Sequence, residues 1–286
     1  MANELPLGVH ENKFTGPEQP DNLDISIWRY MDFAKFISLL EDRALVFSRR
    51  EGFNDPYEGA YTHVPLIYPE HYSKFFTQEQ IDSKRHISEL DRQIELQWFF
   101  INCWHMNETE SEAMWKLYSD SNRAICIQSS YRVLKDLLPV NATVGKVHYL
   151  DYDKDLMPGQ GLLRSMVSPF FHKRKAFEHE REIRAVIRQM HPMEPNRKYS
   201  YDEIQSLPHP MIVKIQVDLN QLIQQVLVAP TAPRWFNDLV GNVLKRYELS
   251  KEVFQSSLDG KPTFIINKKL QTEPANVDPT STAQSK

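Results

Sequence analysis

Residues 181–188, REIRAVIR, constrain the fold more than any other stretch, because their residue types alternate with a period of two. In a strand, successive side chains point to opposite faces. Arg181, Ile183, Ala185 and Ile187 then share one face, mostly apolar and suited to a core. Glu180, Glu182, Arg184, Val186 and Arg188 share the other, with successive side chains about 7 Å apart. From Arg181 onward the β-branched content favours a strand. Upstream of Glu180 a helix competes, since Glu178 would neighbour Arg181 or Glu182 at helical spacing. The charged face has two readings. It is a solvated row of pairs contributing roughly 0–1 kcal/mol each, or it is the acidic centre of a site.

The rest of the chain supplies the sheet that such a strand needs. Ile25 to Tyr30 reads as a short strand. Asp32 can cap a helix that buries Phe33, Phe36, Ile37 and Leu40. Residues 44–49, ALVFSR, form the next strand. Thr77 with Gln80 fits a capping box opening a long polar helix to about Glu95. Residues 96–104 form an aromatic-rich strand, and Thr109 with Glu112 opens a helix carrying Trp115 and Tyr118. Further strands are expected at 124–128, 144–150, 211–219 and 223–230, then a helix from Pro233 to about Tyr247 and a last strand in EVFQSSL. The pattern predicts a single α+β domain, with a mixed, mostly antiparallel sheet and packed helices, over residues 24–270. Residues 1–23 read as a flexible arm, and 271–286 as a disordered tail with almost no apolar content.

A chain of 286 residues can bury a core without metal or disulfide staples. The formal charge of −4 excludes a broadly basic nucleic-acid coat, though not a local basic patch. Cys103 and Cys126 have no metal-ligand spacing and read as buried, reduced thiols. The first residues, MANELPLGVHENKF, have no secretory pattern, and no apolar run approaches the ~20 residues of a membrane span. A cytoplasmic protein with no membrane partner is the expectation.

A second polar cluster can face the first. In FSRREGFNDPYEG, Asn54-Asp55-Pro56 is strong turn chemistry, holding Asp55 and Glu58 on a rigid loop beside Arg49 and Arg50. The alternative is an Asx-turn that only positions the chain. Trp115 and Tyr118 share a helical face, as core or as a stacking wall for a base or a nicotinamide ring. The phosphate-binding, dinucleotide-binding, zinc-protease and nucleophile-elbow motifs are absent. His105, His148 and His179 lie near the proposed site without metal-ligand spacing, and each reads as a surface or satisfied histidine.

Taken in order, these segments resemble the domain of unknown function 2971 family. IWRYMDFAKFISLLEDRALVFSRREGFNDPYEG is similar to its opening block and INCWHMNETESEAMWKLYSDSNRAICI to its central block, through Cys103, Met114, Trp115, Tyr118, Asp120 and Ile125. HKRKAFEHEREIRAVI is similar to its third block, through Lys175, Glu180, Glu182 and Arg184. Trp104, Ala124, Phe177 and Ile183 depart from the family pattern. The resemblance implies that Asn54, Asp55, Glu58, Trp115, Tyr118, Glu180, Glu182 and Arg184 converge in space.

Three chemistries are expected of such a convergence. The first is an NAD- or nucleotide-directed enzyme resembling ADP-ribosyltransferases, in a toxin or phage-defence setting. Glu180 or Glu182 would be catalytic, with Ser48 on the second strand and NAD as substrate. Arg29 or Arg49 would hold the pyrophosphate, and Tyr30, Trp115 or Tyr118 would stack on the nicotinamide. Its acceptor could be nucleic acid, given Lys173, Arg174 and Lys175. The second is a metal-dependent nuclease or phosphodiesterase using Asp55, Glu58, Glu180 and Glu182, with Lys175 or Arg184 on the phosphate, and sensitive to EDTA. EREIR, however, lacks a lysine two residues after a glutamate. The third is a non-catalytic ligand- or partner-binding domain, in which Asp55 or Glu58 bridges Arg184 or Arg49.

Overall fold

Asp32 starts the fold by local chemistry. It follows strand β1 (Ser26–Met31), and its carboxylate accepts the Lys35 N–H at 2.7 Å, opening helix α1 (Phe33–Asp42). Phe36, Leu39 and Leu40 lie on the buried side of α1. Arg43, in the left-handed region at φ 47°, ends the helix and leads into β2 (Ala44–Ser48).

The computed structural model describes residues 14–63, 77, 96–118, 122–159, 165–190, 197 and 200–260. Beyond β2 the strands are β3 (Phe99–Met106), β4 (Ile125–Ser130), β5 (Ala142–Lys146), β6 (His148–Leu150), β7 (His172–Arg174), β8 (Glu182–Arg188), β9 (Ile212–Gln216), β10 (Gln225–Val228) and β11 (Val253–Gln255). The helices are α2 (Glu112–Tyr118), α3 (Tyr131–Leu137), α4 (Tyr201–Ser206), α5 (Leu219–Leu222) and α6 (Arg234–Arg246), with a 3-10 turn at Lys175–Glu180. The long helix expected after Thr77, Asp120 and the 271–286 tail lie outside the described residues.

The chain is an α+β domain on one large sheet, ordered β11-β10-β4-β1-β3-β2-β9, with β8 joining β3 to β5. All pairings in it are antiparallel except β10 with β11, and β6 and β7 form a separate parallel pair. The mixed, mostly antiparallel sheet is the one expected from the strand pattern.

Strand β8 lies between β3 and β5, which pair along nearly its whole length. Its apolar face enters the main core through Ile183, Ala185 and Ile187. Its other face is also buried, with Val186 packed among Phe99, Ile101, Phe170 and Phe171. The solvated charged face is therefore corrected: six of the seven residues of β8 are buried.

Other differences have local causes. Helix α2 is opened by Ser111 rather than Thr109, because Ser111 Oγ accepts the Met114 N–H at 3.4 Å and its carbonyl accepts that of Trp115 at 3.0 Å. The strand expected at 144–150 breaks at Val147 into β5 and β6, which join different sheets. Helices α3, α4 and α5 span two turns or less, too short for a periodic signal, and depend on caps at Ser130, Ser200 and Asp218. The arm is held from Phe14 onward. Phe14 stacks on Phe171, Glu18 accepts the Lys146 N–H at 2.8 Å and Gln19 donates to the Val144 carbonyl at 2.9 Å, covering the open edge of β5. No helix among the described residues is long and apolar enough to cross a membrane.

Candidate functional site

Arg184 is the centre of the buried polar face of β8. Its side chain is 0% exposed, yet all five guanidinium N–H groups have acceptors. Nη1 donates to Glu58 Oε1 at 2.5 Å and to the Phe170 carbonyl at 2.8 Å. Nη2 donates to Glu58 Oε2 at 2.8 Å and Glu182 Oε2 at 3.0 Å, and Nε donates to Glu182 Oε1 at 3.0 Å. Burial pushes the Glu58 carboxyl up despite Arg184. Burial would also raise Glu182, but Arg184 and Lys173 together hold it below its usual range. Glu182 is thus locked in place between Arg184 and Lys173.

Lys173 extends the network. Its ammonium donates to Glu180 Oε2 at 2.5 Å, lies 3.5 Å from Glu182 Oε2 and sits over the Phe177 ring at 4.6 Å. Glu180 is not on the strand, a correction to the sequence reading. It ends the 3-10 turn, and Arg181 then adopts a left-handed backbone at φ 41° before β8 begins. That bend swings Glu180 out of the alternation and over the strand's charged face, where its side chain is 12% exposed. Of the basic residues expected near a nucleic-acid acceptor, Lys173 pairs with Glu180 and Arg174 with Asp55.

Arg174 serves the loop. It donates to Asp55 Oδ1 at 2.7 Å and lies over Tyr57 at 4.3 Å and Phe177 at 5.4 Å. The same Asp55 oxygen accepts the Tyr57 N–H at 3.0 Å, so the Asx-turn and the charged contact coexist. This turn delivers Glu58 to Arg184.

The sheet splits beside these groups. Because β8 occupies one edge of β3 from Phe99 to His105, β1 and β2 must share the other. β1 pairs there with His105 and Met106, and β2 with Ile101. Between them, side chains replace the missing ladder. Asn102 Nδ2 donates to the Val46 carbonyl at 2.8 Å, and Arg29 Nη1 donates to the Cys103 carbonyl at 2.9 Å. Arg29 is half-buried, with Trp104 5.9 Å away, and burial pulls its pKa down. Among the described residues it has no carboxylate partner. Tyr118 reaches the same place. The residue is 46% exposed, but burial of its hydroxyl end, with Glu180, Cys103 and Glu182 nearby, raises its pKa.

Of the residues expected at the site, Asp55, Glu58, Glu180, Glu182, Arg184, Arg29 and Tyr118 therefore gather around the charged face of β8 and the split. Others do not. Trp115 is a core residue, 2% exposed, with Nε1 bonded to Glu110 at 3.0 Å. Tyr30 is 6% exposed and its hydroxyl accepts the Ser111 N–H, so neither ring is open for stacking. Arg49 pairs with Glu51 and the His209 carbonyl, Lys175 is exposed beside Asp155, and Asn54 is exposed on its loop. Tyr149 is the residue the motif reading missed, and Lys173, Cys103 and His105 are named in it without these contacts. Tyr149 accepts the Glu182 N–H at 2.8 Å, and Cys103 lies against Glu182, with burial pushing its thiol up. The strand alternation places Cys103 and His105 on one face of β3, but nothing in the sequence showed that β8 would pair beside them.

No family model, no curated protein and no solved structure matches the chain.

Proposed function

We propose that this chain binds a phosphate-bearing small molecule of the nucleotide class at the sheet split, with Arg29 as the anion anchor. One observation carries the reading. Arg184, Lys173 and Arg174 each meet a carboxylate, whereas Arg29 meets a carbonyl and the Trp104 ring but no carboxylate among the described residues. A cation drawn partly out of water without a counter-charge is unfavourable. A phosphate supplies both the charge and paired acceptor oxygens for a planar guanidinium. The half-exposed ring of Tyr118 offers a face for stacking beside it.

This reading fits the NAD- or nucleotide-directed expectation and the motif resemblance that accompanied it. Its enzymatic form is ADP-ribosyltransferase-like, in a toxin or phage-defence effector, and there Glu180 takes the catalytic role because Glu182 is committed to Arg184. Calorimetry with NAD and ADP-ribose tests the binding. Saturable binding by the parent, lost in Arg29→Gln, is expected. A well-folded parent that binds neither sinks the reading.

The buried Glu58–Arg184–Glu182 cluster favours a second reading, a non-catalytic ligand- or partner-binding domain. Nicotinamide release from NAD separates the two: release that stops in Glu180→Gln supports the enzyme, and none from a ligand-binding parent supports the binding domain. The nuclease reading has less support, since Asp55, Glu58 and Glu182 are each committed to a guanidinium.

A further inference from the structure

Two hydrogen-bond donors beside the split are unspent. Arg29 gives one guanidinium N–H to the Cys103 carbonyl at 2.9 Å and has the Trp104 ring 5.9 Å away, and its other N–H groups have no acceptor among the described residues. Tyr118 is the second. Its O–H makes no hydrogen bond to a described residue. Burial first, and then Glu180, Cys103 and Glu182, raises its pKa, so the phenol keeps its proton and remains a donor.

The fold brings these two donors together. Helix α2 packs Met114 and Trp115 against Trp28 and Tyr30 of β1. Tyr118 follows Met114 by four residues and Trp115 by three, so it shares the side of α2 that faces the sheet. Trp28 pairs with His105, which makes this the face of β3 that carries Cys103. Arg29 leaves β1 on the opposite face, beside Trp104. The pairing of β1 with β3 stops at Trp28, however, and the guanidinium turns into the gap to reach the Cys103 carbonyl, which lies in the plane of the sheet. There it is open to the Tyr118 side. Arg29 and Tyr118 each act electrostatically on the other, and Cys103 acts on both.

Two free donors at one opening call for a shared acceptor. A guanidinium engages two oxygens of a phosphate, which leaves another for a hydroxyl. A neutral donor suits the position, because a second cation would be drawn to Glu180 or Glu182. We propose that the Tyr118 hydroxyl is the second donor to the anion held by Arg29. The inference rests on the phosphate reading and deepens it: Tyr118 contacts the phosphate itself, and not only a ring stacked beside it.

Inorganic phosphate and ADP-ribose are titrated calorimetrically into the full chain, Arg29→Gln and Tyr118→Phe. Tyr118→Phe keeps the ring and removes only the hydroxyl, and phosphate has no ring to stack. The variant is expected to weaken both probes by a similar factor, about tenfold. Its melting temperature without ligand should match the parent's, since Tyr118 is 46% exposed. A variant that binds phosphate as tightly as the parent overturns the inference, whatever happens to ADP-ribose, and leaves the Arg29 anchor standing. So does a parent that binds ADP-ribose but not phosphate, since two donors aimed at one anion should hold it alone. A parent that binds neither probe, or an Arg29→Gln variant that binds both unchanged, overturns the phosphate reading and this inference with it. Carbon NMR of the parent labelled at tyrosine Cζ provides a check without a substitution at Tyr118. The Tyr118 signal should move when phosphate is added to the parent and stay still in Arg29→Gln. A signal that stays still in a phosphate-bound parent also overturns the inference.

Discussion

Arg184 and Glu58 lie 126 residues apart and form a two-pronged ion pair of 2.5 and 2.8 Å, sealed from solvent. The pair ties the Asp55 turn to the central strand. Arg184 also holds Glu182, so its loss leaves two buried carboxylates without their principal cation. Arg184→Met is expected to lower stability by about 3–5 kcal/mol in urea denaturation. Glu58→Gln, which stays neutral and keeps an acceptor, should lose less. An Arg184→Met variant within about 1 kcal/mol of the parent would show that the pair is dispensable.

Arg29 should behave differently from Arg184. A ligand that binds only the folded state raises stability, by about 2.7 kcal/mol at a hundredfold excess over its dissociation constant. ADP-ribose is expected to raise the melting temperature of the parent and leave that of Arg29→Gln unmoved. A matching rise in the variant would place the ligand elsewhere.

His172 gives a prediction about pH. It is 2% exposed, with Nδ1 2.7 Å from the Ser168 carbonyl, and burial pulls its pKa down to about 4. An unfolded histidine titrates near 6.5. Between these values the unfolded state binds the extra proton, so this contribution is complete above about pH 6.5 and is lost as pH falls toward about 4. The loss reaches roughly 3 kcal/mol. Denaturation from pH 7.5 to 4 should show a shallower decline in His172→Gln than in the parent. Parallel curves would mean that His172 does not contribute.

Gly145 tests the N-terminal strap. A Cβ there would meet Pro17 Cβ at 2.5 Å and the Glu18 carbonyl at 2.9 Å. Gly145→Ala is expected to lift the strap and cost about 1–3 kcal/mol. Limited proteolysis should then cut before Pro20 faster than in the parent. Unchanged cleavage would show that the strap moves aside without penalty.

The thiols of Cys103 and Cys126 should be inert in the native protein, because burial raises both well above the ordinary thiol range. Reaction with a chromogenic disulfide at pH 8 should proceed at the rate of unfolding and become fast in denaturant. Rapid native labelling would show that Cys103 is reachable from the split.

The sequence by itself determined the elements whose causes are local. Asp32 capped α1, the period-two pattern gave β8 its two faces, and the Asn54-Asp55-Pro56 turn presented Glu58. It also offered the Glu58–Arg184 bridge as one of several outcomes. Tertiary structure decided what those faces meet. An alternating strand reads the same whether its charged side faces water or protein, since the period reports direction and not dielectric. Pairing β8 between β3 and β5, and covering it with a loop more than a hundred residues away, turned a surface pattern into a buried network. The left-handed residue at Arg181 moved Glu180 off the strand, and Lys173 rather than Lys175 reached it. The split at Arg29 exists only because β1 and β2 share one edge of β3, a competition for hydrogen bonds between segments distant in the chain.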